Sequence, residues 1–176
     1  MVILETQRLL LRPFSDYDAE DTFAYCRDPR VGPRAGWQPH QTILETLQII
    51  QTVFAQPHVF AVADKQTGRV IGSAGYVGRS RDAIFGNNDE IGYALSPDYW
   101  GQGLIPEAVA RLLQYGFEER GLDTIWCNHY AGNDQSRRVI EKCGFLLQGT
   151  ETEWVEAMGE TRTVFLYAKK RKEWAG

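Results

Sequence analysis

The sequence predicts one mixed α/β domain covering residues 1–176. Three observations predict it. Alternating β-rich runs and runs of helical period follow one another along the whole chain, with no internal repeat and no linker between them. The 176 residues suffice for one sizeable core and are too few for two. Apolar residues make up 43% and charged residues 24%, the balance of a globular protein.

The elements follow in order. VILETQRLLLRPF alternates as an opening strand. Ser15, with Asp18 three residues on, forms an acidic capping box for a first helix ending near Asp28-Pro29. RVGPRAGWQPH is a Gly/Pro-rich loop carrying an exposed Trp37. Thr42 and Glu45 cap a second helix, in which Ile43, Leu47, Ile50 and Phe54 share a face before Pro57 closes it. VFAVADKQTGRVIGSAGYVG is a hairpin turning at Asp64 to Gly68, and the polar loop RSRDAIFGNND leads to a third run, EIGYALS.

PDYWGQGLIPEA then opens a helix near Ile105, with Pro106 in the first turn, where a missing N–H leaves no gap in the bonding. Ile105, Ala108, Val109, Leu112, Leu113 and Phe117 form its apolar face, and Gly121 ends it. TIWCNHY is a strand. NDQSRRVIEKCGF is a short helix between Asn133 and Gly144. LLQGTETEWVEAMGETRTVFLYAKK is a long hairpin around Gly159, and KKRKEW is a solvated charge run. The order is one strand, two helices, three strands, helix, strand, helix, two strands.

The net charge of −4 shows no footprint for a nucleic-acid backbone, and no apolar run is long enough to span a bilayer. Glu5 and Arg8 interrupt any signal-peptide pattern. Cys26, Cys127 and Cys143 are odd in number and lack CxxC spacing, so reduced thiols in a cytoplasmic protein are expected.

The chemistry concentrates in PDYWGQGLIPEA. A strand stopping at Ser96-Pro97, a loop holding Gly101 and Gly103, and a helix starting near Ile105 together build an anion site. The first turn of a helix has amides without internal partners, its dipole adds positive charge, and glycine lets backbone approach a ligand. The alternative is a tight connection and nothing more. GxxxxGK[ST] is absent, and GxGxxG fails because Pro106 stands at the third glycine.

EIGYALSPDYWGQGLIPEA followed by NDQSRRVIEKCGF resembles the GNAT superfamily of acetyl-CoA-dependent N-acetyltransferases, in its RimJ/RimL-type branch. ETQRLLLRPF and DPRVGPRAGWQPH are similar to the branch's first strand and following loop, so the resemblance covers nearly the whole chain. It implies a central, twisted, mostly antiparallel sheet with about four helices. Two positions depart from the superfamily's [QR]xxGx[GA]: Trp100 stands first, as in many branch members, and Ile105 stands last, where it narrows the approach to the pyrophosphate. Thr163 stands where branch members often carry Asp.

The resemblance implies direct attack of an amine on the thioester, with no acyl-enzyme and no metal. The backbone of Tyr93, Ala94 and Leu95 would pair with the pantetheine arm, and Trp100, Gly101, Gln102, Gly103, Leu104 and Ile105 would hold the pyrophosphate. Asn133 and Ser136 would face the cofactor near its sulfur. Glu90 is the candidate base, the alternative being an exposed strand-end carboxylate. Ser136 would donate to the leaving thiolate or relay a proton, the alternative being helix capping; Tyr130 and Tyr167 are reserve acids.

The acceptor is a protein N-terminal amine or a small amine (a polyamine, an amino sugar or an antibiotic-like molecule), and a non-catalytic acyl-CoA-binding regulator is the rival class. Acceptor contacts come from Arg30–His40 and Arg79–Asp89, and branch relatives are often homodimers. Cys127 and His129 share a strand face as packing residues; a thiol–imidazole pair or two metal ligands is the alternative. His40 and His58 have no visible partners, and Trp37, Phe85 and Trp154 are candidates for an acceptor pocket or for core.

Overall fold

The opening run folds as two strands rather than one. In the computed structural model, which describes residues 2–82 and 85–174, β1 (Leu4–Glu5) and β2 (Leu9–Arg12) pair antiparallel with Leu4 opposite Leu11. The Thr6 amide donates to the Leu9 carbonyl at 3.0 Å and closes the turn. Leu4, Leu9 and Leu11 are all buried. No Gly or Pro marks this turn, which is why the pattern reads as one strand.

The helix α1 (Ala19–Cys26) is entered through a 3-10 turn whose Asp18 carboxylate accepts the Ser15 amide at 2.8 Å and pairs with Arg12 at 2.7 Å. Within the expected loop a short helix, α2 (Gly32–Ala35), forms and stops at Gly36, whose φ of +90° is a left-handed conformation. The helix α3 (Ile43–Thr52) starts where the Glu45 amide donates to the Thr42 hydroxyl at 3.1 Å. Its buried face is Thr46 and Ile50, while Ile43 stays 45% exposed. The expected all-apolar stripe is therefore offset: the Thr46 hydroxyl meets His40 Nδ1 at 2.9 Å and is satisfied in the interior.

β3 (Val59–Asp64), β4 (Val70–Tyr76) and β5 (Asn88–Leu95) form a meander. α4 (Leu104–Gln114) runs into a π-helical turn, Tyr115–Glu119, and leads to β6 (Thr124–Tyr130). α5 (Asp134–Lys142) precedes the closing hairpin of β7 (Leu146–Val155) and β8 (Glu160–Lys170), which turns at Gly159. The eight strands form one sheet in the order β1-β2-β3-β4-β5-β6-β8-β7. Only β5 and β6 are parallel, as the intervening α4 allows.

The sheet buries a core on each face. α4 and α5 cover one, with Leu104, Ala108, Leu112 and Ile140 against Ile91, Ile125 and Cys127. α1 and Val31 cover the other, with Tyr25 and Cys26 near Ala61, Ala63 and Val70. The charge run at the end is docked rather than solvated at its start. Arg171 donates to the Leu122 carbonyl at 2.6 Å and Trp174 packs on Phe117 at 5.6 Å. Among the described residues no helix is long and apolar enough to cross a membrane.

Candidate active site

The parallel ladder of β5 and β6 runs from Asn88↔Thr124 to Ile91↔Cys127 and stops there, although both strands continue. Beyond it the strands part, and a cleft of about 1120 Å³ takes the space between them. Ligand sites in open α/β sheets favour such carboxyl ends of parallel strands.

Parity along β5 decides which backbone groups face the gap. The Val77 amide donates to the Glu90 carbonyl at 2.9 Å, and the Ser96 amide to the Ile71 carbonyl at 2.8 Å. In an antiparallel ladder the bonded residues alternate, so Glu90, Gly92, Ala94 and Ser96 spend their backbone groups on β4. Tyr93 and Leu95 turn theirs toward the gap. Ala94 is thus removed from the expected pantetheine pairing. The Leu95 carbonyl is also occupied, because the Trp100 indole Nε1 donates to it at 2.9 Å. The Tyr93 amide and carbonyl and the Leu95 amide remain.

Trp100 departs from the expected pyrophosphate contacts. Its own amide donates to the Pro97 carbonyl at 3.2 Å, so it is not part of the anion cradle. The amides of residues 101–105 make no hydrogen bond of ordinary length and angle to backbone among the described residues. Gly101, Gly103, Leu104 and Ile105 line the cleft at the N-terminus of α4, where unspent amides suit a phosphate. Gly101 and Gly103 both have φ of +76°. A Cβ would meet nothing within 4 Å at Gly101, and only Arg8 Nη2 at 3.8 Å at Gly103. The left-handed backbone, not crowding, is what demands glycine there. Ile105, in the first turn of α4, is buried in the core and also lines the cleft.

The loop is tied down from behind. Glu107 accepts Arg8 Nε at 2.7 Å, the Arg8 amide at 2.8 Å and the Thr6 hydroxyl at 2.5 Å, while Arg8 Nη1 holds the Gln102 carbonyl at 3.0 Å. Desolvation opposes ionisation of Glu107, but the bonds from Thr6 and Arg8 prevail and hold its carboxyl below the usual range. The Gln102 side chain turns away to the Asp98 carbonyl. Arg34, Arg138 and Lys142 also line the cleft and bring positive charge to it despite the acidic chain. Arg34 also lies over the Trp100 ring at 5.5 Å.

Asn133 caps α5: its Oδ1 accepts the Ser136 amide at 3.2 Å, and its Nδ2 donates to the Arg34 carbonyl at 3.2 Å. It joins α5 to α2. Ser136 is not the cap, and its hydroxyl is free for other work. That hydroxyl lies 2.8 Å from the phenol oxygen of Tyr93. Burial pushes the Tyr93 phenol well above its ordinary range, so it stays protonated. The Tyr93 side chain escaped sequence reasoning, which used only its backbone. Strand alternation was the available signal, since Tyr93 lies opposite Ala94 and on the α5 side.

Glu90 projects from the other face, with Gly92 and Ala94. Its Oε2 accepts Asn128 Nδ2 at 2.7 Å and lies 3.7 Å from Arg81 Nη2. It is not an exposed strand-end carboxylate, because only 12% of its side chain is accessible. Burial raises its pKa most; Arg79 and Arg81 pull it down, and Glu153 and Glu151 push it up again, for a net rise. Arg79 bridges Glu153 at 3.3 Å, and the Tyr130 hydroxyl donates to Glu153 at 3.4 Å.

Other candidates separate. Tyr130 lines the cleft on the Glu90 face; Tyr167 does not line it and packs on His129 at 5.5 Å. His129 Nδ1 donates to the Tyr130 carbonyl at 2.9 Å and its ring stacks on Phe165 at 5.0 Å. His40 and His58 do have partners, Thr46 and the Tyr115 hydroxyl at 2.8 Å, both distant in pattern from any sequence signal. None of Trp37, Phe85 and Trp154 lines the cleft. Trp37 packs on His40, Phe85 sits edge-on to Trp126 at 5.0 Å, and Trp154 is 59% exposed.

Residues 8–146 match the family model described as an acetyltransferase (GNAT) domain. The chain is 28% identical over 181 aligned residues, the full length of both proteins, to an uncharacterised N-acetyltransferase of Bacillus licheniformis. The fold superposes on a GNAT-family acetyltransferase from Bacillus anthracis with a TM-score of 0.85 at 24% identity, covering 98% of this chain and 100% of that one. It also superposes on a ribosomal-protein-S5-alanine acetyltransferase from Vibrio fischeri with a TM-score of 0.74 at 22% identity, covering 100% of each. The chain therefore belongs to the GNAT acetyltransferases, which take their acetyl group from acetyl-CoA.

Proposed function

We propose that the protein acetylates the N-terminal α-amine of a polypeptide by direct attack on acetyl-CoA, without an acyl-enzyme. The observation that carries this reading is the division of the site by the sheet. Glu90 faces the acceptor side and the Tyr93–Ser136 pair faces the cofactor side, with the opening between β5 and β6 separating them. The name of the Vibrio fischeri fold neighbour supports the choice of acceptor, as does the resemblance to the RimJ/RimL-type branch.

The residues divide the work. The amides of residues 101–105, with Arg34, Arg138 and Lys142, hold the pyrophosphate. Tyr93 and Leu95 offer backbone groups to the pantetheine arm, and an amide there polarises the thioester oxygen. Asn133 is a positioning residue that sets the start of α5. Glu90 takes the amine proton as the C–N bond forms. As the C–S bond breaks, Ser136 donates a hydrogen bond to the sulfur while accepting one from Tyr93, so CoA leaves as a hydrogen-bonded thiolate that takes its proton from solvent. The proton on Glu90 returns to solvent.

The test is turnover of acetyl-CoA by the purified chain against N-terminal peptides, polyamines and amino sugars, read as thiol release and as product mass. Acetylation confined to peptide α-amines is expected. Activity on the small amines alone reassigns the acceptor, and acetyl-CoA binding without any turnover identifies a regulator.

A further inference from the structure

The acceptor side of the cleft has an apolar rim that the chemistry at Glu90 does not use. Val77 follows β4, and its amide donates to the Glu90 carbonyl at 2.9 Å, so it adjoins that residue. Its side chain lies over bare backbone: a Cβ on Gly92 would come within 2.9 Å of Val77 Cγ1. Facing it is the segment leaving α3, which carries Val53, Phe54 and Pro57 into the same cleft. That segment enters the sheet beside β4: Val59 pairs with Gly75, and the Tyr76 amide donates to the His58 carbonyl at 2.9 Å. Phe54 is held by stacking on Phe14 at 4.6 Å. Val53 and Val77 are 54% and 52% exposed, so the rim is wet until something covers it.

The occupant is constrained by charge as well as by apolarity. Around Glu90, the carboxylates of Glu90, Glu151 and Glu153 are opposed by Arg79 and Arg81, and Asp89 by Arg120, which leaves one carboxylate to be balanced. One ammonium balances it. A polyamine would carry its further charges onto the apolar rim, and an amino sugar would bring hydroxyls with no partners there. An isolated exposed valine needs no explanation, but apolar side chains on two walls of a substrate cleft mark a binding surface.

We propose that the occupant is the N-terminus of a polypeptide whose first two side chains are apolar, with its α-amine at Glu90 and those side chains between Val77 and the Val53–Pro57 wall. The proposal rests on the reading of the chain as an N-terminal amine acetyltransferase and narrows it. Adjacent strands are ~4.8 Å apart, and an extended chain advances ~3.4 Å per residue. The Val53–Pro57 wall, which leads into β3 beside β4, is therefore within reach of the first two residues.

The experiment measures kcat/KM at saturating acetyl-CoA for tetrapeptides that begin Leu-Val, Ser-Ser or Lys-Lys and are otherwise identical. The wild type is expected to prefer Leu-Val over Ser-Ser by about tenfold or more. Val53→Thr and Val77→Thr preserve shape and charge. Each should reduce that preference several-fold while leaving KM for acetyl-CoA unchanged. Equal rates on all three peptides overturn the apolar subsite and leave N-terminal acetylation standing. A preference that survives both substitutions also overturns it. A parallel arm compares phenethylamine with ethanolamine. Turnover of either amine with no peptide acetylated removes the underlying N-terminal reading, and the proposal with it.

Discussion

The phenol of Tyr93 and the hydroxyl of Ser136 are hydrogen-bonded at 2.8 Å, joining β5 to α5 along one side of the cleft. The pair predicts coupled kinetics. Ser136→Ala and Tyr93→Phe should each lower kcat by roughly tenfold or more while leaving KM for acetyl-CoA nearly unchanged, because thiolate stabilisation matters in the transition state. The double variant should lose little beyond the worse single one, as expected for groups acting as a unit. Additive losses in a double-mutant cycle would separate the two hydroxyls.

Glu90→Gln should lower kcat at neutral pH by about 10²–10³-fold, the range of a single general base. The sign of the pH dependence follows from the raised pKa of Glu90, for which burial is the main cause. The carboxylate acts only above that pKa, so the acid limb of kcat/KM should lie above the ordinary carboxylate range. In the Gln variant activity should recover partly as pH rises and free amine becomes available unaided, and more fully for an α-amine than for a lysine-like amine. A wild-type pH–rate profile for the variant on both amines would take Glu90 out of the mechanism.

The same shift makes a stability prediction. A group whose folded pKa is raised binds its proton more tightly in the folded state, so its contribution is present at low pH and lost as pH rises through the folded value. Once ionised, Glu90 therefore works against folding. Glu90→Gln should raise Tm at pH 7.5 and change it little at pH 4, which paired thermal melts would read.

Gly103 separates backbone strain from ligand contact. Its φ of +76° costs a residue with a Cβ ~1–2 kcal/mol. Asparagine tolerates this region better than valine. Gly103→Val should lower Tm and weaken acetyl-CoA binding, whereas Gly103→Asn should keep most of both. Equal damage from the two, measured by calorimetry and thermal melts, would point instead to contact with the phosphates.

Glu107→Ala should cost about 1 kcal/mol, because Arg8 is exposed and keeps the Gln102 carbonyl while Thr6 keeps the Leu9 carbonyl. Because the Glu107 carboxyl is held below its usual range, its stabilisation is present above the unfolded pKa and is lost as pH falls through the lowered folded one. KM for acetyl-CoA should rise with the loosened loop. A wild-type KM in the destabilised variant would show that the loop holds its shape without Glu107.

The sequence by itself determined the mixed α/β order, both later helices with Asn133 at one start, and the amide-lined loop after Ser96. These follow from local causes: helical period, side-chain caps, and glycine where φ is positive. It also singled out Glu90 and Ser136 by resemblance. Only the tertiary structure decided the rest. The division of β1 from β2 and the short α2 carried no decisive local signal. Whether Ala94 or Tyr93 offers backbone to the gap depends on the hydrogen-bond parity that β5 adopts against β4, which pairing alone sets. The Trp100 indole could reach Leu95 only once the loop had folded back over its strand. Likewise the Tyr93 phenol became a partner of Ser136 because α5, forty-odd residues later in the chain, packs on that face of the sheet. Local chemistry selects conformations residue by residue, but which polar groups remain unspent at the end of a parted strand pair is settled by contacts between segments distant in sequence.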